Sequence, residues 1–270
     1  MIRVAVLGIG GRMGGRIATA VRAEPQLRLA AATERPDSPQ IGRDAGIVAG
    51  TGEAGVPVSP SIEEALSRGV DVAIDFTAAE AALKHAKACA RAKVAVVIGT
   101  TGFSPAQKAE LLDVAKEIPL VLSPNMSVGV NVLFRLVADA ARALGPAYEV
   151  EIVEMHHRAK KDAPSGTALK LAEAAAGGLD LDLQKAGVYS RHGDTGERRA
   201  GTIGIQALRG GDVVGDHTVY FLADGERIEL THRATSRDNF ARGAIRAAKF
   251  VVGKPAGLYD LQDVLGGARR

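Results

Sequence analysis

The chain opens on a nearly continuous apolar run, Ile2 to Leu7 (IRVAVL). A run that short is the pattern of a strand buried on both faces of a parallel sheet. Apolar positions then recur at helical spacing in RIATAVRAE, and Leu27 to Ala32 (LRLAAA) reads as a second strand. Asp37 to Pro60, rich in Gly, Pro, Ser and Asp, has little periodicity and is expected to be a loop with a short irregular excursion. Beyond it the spacing predicts a short helix over Ile62–Ser67, a strand over Val70–Phe76 and a helix over Ala79–Ala92. A strand over Lys93–Ile98, a helix over Pro105–Glu117 and a strand at Leu120–Leu122 follow. Strands alternating with helices predict an α/β fold, a doubly wound parallel sheet.

Around Ser127 to Val130 the pattern changes. An amphipathic helix over Asn131–Leu144 leads into a strand-like alternation, Tyr148–Met155, and then a helical stretch ALKLAEAAA. Gly177 to Gly201 is loop-like, and three strand-like pieces follow at Thr202–Leu208, Val213–Phe221 and Arg227–His232. Strands without intervening helices predict a second α+β domain on a mixed or antiparallel sheet. The final helix, Phe240–Val252, and the segment GLYDLQDVL are expected to return to the first sheet, which needs helices on both faces. The expected division is 1–126 with 237–270, and 127–236.

Composition alters this picture little. The chain is 46% hydrophobic and 24% charged, ordinary for a soluble globular protein, and its 4% of aromatics makes the core aliphatic. A net charge of +3, spread rather than striped, suits small anionic ligands and argues against nucleic acid. Cys89 is the only cysteine, so an intrachain disulfide and a cysteine-built metal site are excluded. None of the six histidines forms H-E-x-x-H, adjacent histidines chelate one ion poorly, and no metal is expected. No signal-peptide pattern and no membrane-length apolar run appear, which predicts a cytoplasmic protein.

The chemistry begins at Gly8-Ile9-Gly10-Gly11-Arg12-Met13-Gly14, between the first strand and the first helix. Glycines there allow a tight turn and close approach of a pyrophosphate to backbone N–H groups, the context of a Rossmann-like dinucleotide site. Strict G-x-G-x-x-G spacing fails, since its third glycine falls on Met13. Glu34 lies 20 residues after Gly14, where an acidic side chain binds the adenosine ribose. Arg35 beside it suits a 2′-phosphate, so use of both NADH and NADPH is expected; both residues would otherwise be surface charges after a strand. Asp75-Phe76-Thr77, Gly99-Thr100-Thr101 and Ser123-Pro124-Asn125-Met126 follow other strands and belong to the same crevice, if they are not plain turns.

The other notable stretch is EMHHRAKKDAPSGTA, Glu154 to Ala168, between a strand and a helix. It holds His156, His157, Arg158, Lys160, Lys161 and Asp162, and then Ser165 or Thr167 is placed to cap the helix. A helix N-terminus beside lysines suits an anion, and lysine and histidine are tunable proton carriers. The alternative is a solvated basic loop with an ordinary cap.

Together these motifs resemble one family, the dihydrodipicolinate (4-hydroxy-tetrahydrodipicolinate) reductases. VAVLGIGGRMG, IDFT, VIGTTGF, SVGVN, HHRAKKDAPSGTA, GERRAGTIG, GDVVGDHT and TSR carry the resemblance over nearly the whole chain, and HHRAKKDAPSGTA is its most specific part. The departure of the glycine loop from strict spacing also fits that family. The resemblance implies reduction of 4-hydroxy-tetrahydrodipicolinate by NADH or NADPH in lysine and diaminopimelate biosynthesis, and a homotetramer built on the second domain's sheet. It implies His156 as proton donor or acceptor, Lys160 as proton donor, and His157, Ser165, Gly166 and Thr167 at the substrate. The implied cofactor contacts are Gly8 to Met13, Glu34, Arg35, Gly99 to Thr101 and Ser123 to Met126. The substrate's carboxylates would meet Lys160 or Lys161 and the N–H groups at Ser165–Thr167. Another two-domain amino-acid-pathway dehydrogenase would share the nucleotide domain without needing HHRAKKDAPSGTA. A non-catalytic NAD(P) sensor would gain nothing from an intact Lys160 and His156.

Overall fold

A computed structural model of the chain describes residues 1–266. The chain divides into two compact units, Met1–Val128 with the segment from Asp238 onward, and Gly129–Arg237. Residues 267–270, part of the expected return to the first sheet, lie outside the described residues.

The first unit runs β1 (Ile2–Leu7), α1 (Gly14–Ala23), β2 (Leu27–Thr33), α2 (Ala45–Val48), β3 (Val58–Ser59), α3 (Ile62–Ser67) and β4 (Val72–Asp75). It continues with α4 (Ala79–Ala92), β5 (Ala95–Ile98), α5 (Pro105–Ala115) and β6 (Pro119–Leu122). The second unit holds α6 (Val128–Leu144), β7 (Glu149–His156), α7 (Gly166–Gly178), α8 (Leu183–Ala186), β8 (Gly187–Val188), β9 (Ile203–Arg209), β10 (Gly215–Ala223) and β11 (Glu226–Ala234). The chain then returns to the first unit as α9 (Asp238–Val251), β12 (Gly257–Tyr259) and α10 (Leu261–Val264).

The first sheet has the order β12-β6-β5-β4-β1-β2-β3, with every pairing parallel, so all carboxyl ends lie on one edge. Its apolar runs serve two cores. Val4 and Val6 of β1 face α1, α9 and α10, while Ala5 and Leu7 face α3, α4 and α5. This is the doubly wound sheet that the sequence predicts. The excursion between β2 and β3 is more ordered than its composition suggests. The Asp44 carboxylate accepts N–H groups from Gly46, Ile47, Ala54 and Val56 at 2.8–3.1 Å, and β3 then pairs with β2. One acid thus replaces the periodicity that the segment lacks.

The second sheet has the order β11-β10-β7-β9-β8 and is mixed: β7 is antiparallel to β10 and parallel to β9. α6 and α7 cover one face, packing Leu133, Val137, Ala168, Leu171 and Ala175 on Val150, Ile152, Ile203, Val219 and Phe221. The segment 177–201, expected as loop, contains α8 and β8 and is fastened by Glu151. That carboxylate takes the Arg191 guanidinium at 2.8 and 2.9 Å and Arg198 Nε at 3.0 Å. Gly204 makes the room, since a Cβ there would lie 1.8 Å from the Glu151 carboxylate.

Candidate active site

On the carboxyl edge of the first sheet, β1 ends in Gly8 with φ +74°, a conformation that glycine adopts freely. A Cβ on Gly8 would lie 2.7 Å from Cγ2 of Thr77, and one on Gly14 only 2.0 Å from the Gly8 carbonyl oxygen. The missing side chains let the first turn of α1 rest on the end of β1. Met13 at the helix start gives no side-chain cap, so the partial positive charge of the N-terminus is not met by a side chain of its own cap and suits an anion. Gly14→Ala overpacks this contact at roughly 1–3 kcal/mol. Dinucleotide affinity is expected to fall on the order of tenfold or more, read by fluorescence titration; unchanged binding would remove Gly14 from the cradle.

Glu34, just past the end of β2, is mostly buried. One oxygen accepts Gly10 N–H and the other Arg35 N–H, both at 2.9 Å, which ties the glycine loop to the position where a ribose is expected. Arg35 reaches outward, 77% exposed, with Asp37 at 3.9 Å. At the end of β4 the buried Asp75 carboxylate accepts the Thr77 N–H at 2.7 Å and hydroxyl at 2.6 Å, and His85 Nδ1 lies 2.6 Å away. The Thr100 hydroxyl donates to the Thr77 carbonyl at 3.0 Å. Gly99 lies under the Phe76 ring, where a Cβ would be 2.2 Å from the ring edge. Ser123 N–H donates to the Ile98 carbonyl at 3.1 Å and its hydroxyl to the Asn125 carbonyl at 2.9 Å, which folds the turn after β6. The loops after β1, β2, β4, β5 and β6 thus share one edge, knitted through Glu34, Thr77 and Ser123. Arg12, Thr101 and Pro124 are exposed there, while Ile9 and Met126 are core residues that seat their loops. The residues present fit a dinucleotide: an uncapped helix start, a backbone cradle without side chains, and a carboxylate at the end of β2.

In the second unit β7 alternates buried and half-buried positions. Val150 and Ile152 enter the core, and the same face then turns polar at Glu154 and His156. The Glu154 carboxylate is fully buried and fully used. It accepts the Ser165 N–H at 2.9 Å and both terminal nitrogens of Arg209 at 2.8 Å, and it lies 2.5 Å from His156 Nδ1. Burial alone would raise its pKa; the bonds from His156, Arg209 and Ser165 N–H overcome that and hold it at about 2. His217 lies directly across from Glu154 on β10, and its ring meets His156 edge-on at 5.1 Å. Burial, and then the charge of His156, push His217 down to about 3, so it is neutral at ordinary pH.

Ser165, not Thr167, caps α7: its hydroxyl oxygen accepts Ala168 N–H at 3.2 Å and lies 3.1 Å from His217 Nε2. With its N–H given to Glu154, Ser165 is engaged within the protein. The open part of the helix start begins at Gly166, where a would-be Cβ meets nothing within 4 Å beyond its own turn. Between strand and helix, His157 N–H donates to the Val213 carbonyl at 2.8 Å, and Lys160 N–H to the His157 carbonyl at 3.1 Å. Lys160 Nζ is held by both Asp162 oxygens at 2.8 Å, which lowers the Asp162 pKa. Arg158 and Lys161 are exposed. The structure therefore gathers His156, Lys160 and the capped helix start at one end of the second sheet.

Glu154, Arg209 and His217 are absent from the predicted site residues. A signal for Glu154 existed: it stands two before His156 in a strand, hence on the same face. Arg209 and His217 join only through the pairing of β7 with β9 and β10, which spacing does not give.

A doubly wound parallel sheet with this glycine loop and a carboxylate after β2 has the architecture of nicotinamide-dependent oxidoreductases. Residues 2–126 match the family description "Dihydrodipicolinate reductase, N-terminus" and residues 129–265 its C-terminus. The chain is 58% identical over 266 residues to the 4-hydroxy-tetrahydrodipicolinate reductase of Anaeromyxobacter dehalogenans strain 2CP-1, covering 98% of both chains. It is equally similar, at 58% and the same coverage, to the enzyme of that name from Anaeromyxobacter sp. strain Fw109-5. Among solved structures, dipicolinate-bound dihydrodipicolinate reductase from Paenisporosarcina sp. TG-14 superposes with a TM-score of 0.77 at 26% identity, over 97% of this chain and 99% of that one. The chain belongs to the dihydrodipicolinate reductase family.

Proposed function

We propose that the chain reduces 4-hydroxy-tetrahydrodipicolinate to tetrahydrodipicolinate, with oxidation of NADH or NADPH and loss of water, as a step of lysine and diaminopimelate biosynthesis. One arrangement carries the proposal: an imidazole and an ammonium, His156 and Lys160, flank a helix start that is open at Gly166. That set suits a ring bearing two carboxylates and needing a proton. The bound nicotinamide supplies the hydride, and the chain supplies the rest. Gly8 to Met13 and the start of α1 take the pyrophosphate, and Glu34 takes the ribose. Gly99 to Thr101 and Ser123 to Met126 complete the crevice. The helix start at Gly166 and Thr167, with His157 and Lys161, binds carboxylates, and Ser165 shapes that turn. Lys160 Nζ gives the proton that the reduced ring requires, and His156 polarises the ring or returns the proton.

Use of both cofactors follows from Glu34 beside Arg35. Arg35→Ala is expected to raise KM for NADPH on the order of tenfold and to leave NADH nearly unchanged; equal weakening of both would sink the 2′-phosphate role. A homotetramer fits the sheet face that α6 and α7 leave uncovered, which carries Met155, Tyr220 and a 46% exposed Leu208. The proposal places the enzyme in the cytoplasm, where reduced nicotinamide is available.

The test is NADH and NADPH oxidation by the purified chain, with substrate made in situ from pyruvate and aspartate semialdehyde by the preceding synthase. Substrate-dependent oxidation supports the reading. No oxidation by a protein that still binds both cofactors would mean that the substrate is wrongly named.

A further inference from the structure

Among the described residues Glu154 is the one fully buried carboxylate that touches the proton-handling groups, and neither binding a dicarboxylate nor delivering a hydride needs an anion there. An ionised carboxylate can only accept hydrogen bonds. Oε1 accepts from Ser165 N–H and Arg209, Oε2 accepts from Arg209, and His156 Nδ1 lies 2.5 Å from Oε2. Nδ1 must therefore carry a proton, and Nε2 is the nitrogen left to exchange one. The other side of the ring is kept clear by Gly215, where a Cβ would lie 2.9 Å from Nε2.

We propose that Glu154 is a positioning residue for the reduction: it fixes the His156 proton on Nδ1, presents Nε2 to the ring substrate, and stabilises the imidazolium while His156 holds a second proton. The groups facing His156 agree with that assignment. On its own strand it meets Glu154, from β9 Arg209 neutralises the carboxylate, and from β10 the neutral His217 ring meets it edge-on. The same carboxylate holds the N–H of Ser165, while Arg209 also donates to the Asp162 carbonyl at 2.6 Å. Imidazole, lysine turn and helix start thus share one anchor, so orientation of His156 and orientation of Lys160 are set together. The inference rests on the reading of His156 as a proton-handling group.

A purely structural anchor would hold the turn without acting through the imidazole, and a double-mutant cycle separates the two. Turnover is measured for the full chain as wild type, Glu154→Gln, His156→Gln and the double variant, with NADH binding and thermal unfolding followed in parallel. Glu154→Gln is expected to lower kcat on the order of 10²-fold with little change in KM. In the His156→Gln background the same change is expected to cost less than about twofold. Equal losses in both backgrounds would overturn the proposal and make Glu154 a support of the turn only. Undiminished turnover in His156→Gln would instead remove the reading of His156, and the proposal with it. Should Glu154→Gln not fold, Glu154→Asp, which keeps the charge but draws it back from Nδ1, runs the same cycle with the same deciding outcomes.

Discussion

Lys160→Ala is expected to lose about 10²–10⁴-fold in kcat, the usual contribution of a positioned general acid, while NADH binds as tightly as before. Lys160 is singled out over its neighbour by its surroundings. Its side chain is 20% exposed and its ammonium is held by both oxygens of Asp162, whereas Lys161 is exposed. A held ammonium can be aimed at one carbon of the ring; a free one contributes charge to carboxylate binding. Lys161→Ala should therefore raise KM and spare kcat, the inverse of Lys160→Ala. Cofactor binding is read by nucleotide fluorescence, and turnover by NADH oxidation at saturating substrate. A Lys160→Ala enzyme with near-normal kcat would end the proton-donor assignment, and parallel losses in both variants would reduce the pair to a general basic patch.

What the sequence makes legible follows from where the physics is local. The burial of β1 on both faces is written in six residues, and α4 ends where its apolar spacing stops, with Lys93 in the left-handed conformation at φ 56°. That residue also shortens the next strand, which starts at Ala95 rather than at Lys93. The excursion around Asp44 was not legible, because its order comes from one side chain gathering four backbone N–H groups across twelve residues. The same contrast divides the site. The glycine loop, Glu34 and the capped turn at Ser165 are sequence-local patterns. Arg209 and His217 enter through the register of β7 with β9 and β10, which brings them beside Glu154 from 55 and 63 positions away. Spacing alone leaves the cap open between Ser165 and Thr167; the N–H of Ala168, which donates to the Ser165 hydroxyl, decides it.

Arg209→Ala is expected to destabilise the second unit by about 3–5 kcal/mol at neutral pH, because it takes the guanidinium from both oxygens of a buried carboxylate. The pH dependence distinguishes this from loss of packing. Glu154 is held at about 2 in the folded chain against 4.5 when unfolded, so between those values the unfolded state binds the extra proton. Its contribution, on the order of 3 kcal/mol, is fully present above about pH 5 and is lost as pH falls through the folded value. Without Arg209 the burial that opposes the charge is offset only by His156 and the Ser165 N–H, the folded value rises, and that contribution shrinks. The gap in stability between wild type and Arg209→Ala should therefore be widest near pH 7 and shrink steadily toward pH 2, measured as the difference in urea midpoint across a pH series. A gap that stays constant with pH would mean that Arg209 stabilises through its side-chain packing and its bond to the Asp162 carbonyl. Glu154 would then be held ionised by His156 and Ser165 N–H alone, and the anchor shared by the imidazole and the lysine turn would be a carboxylate–histidine pair with no guanidinium in it.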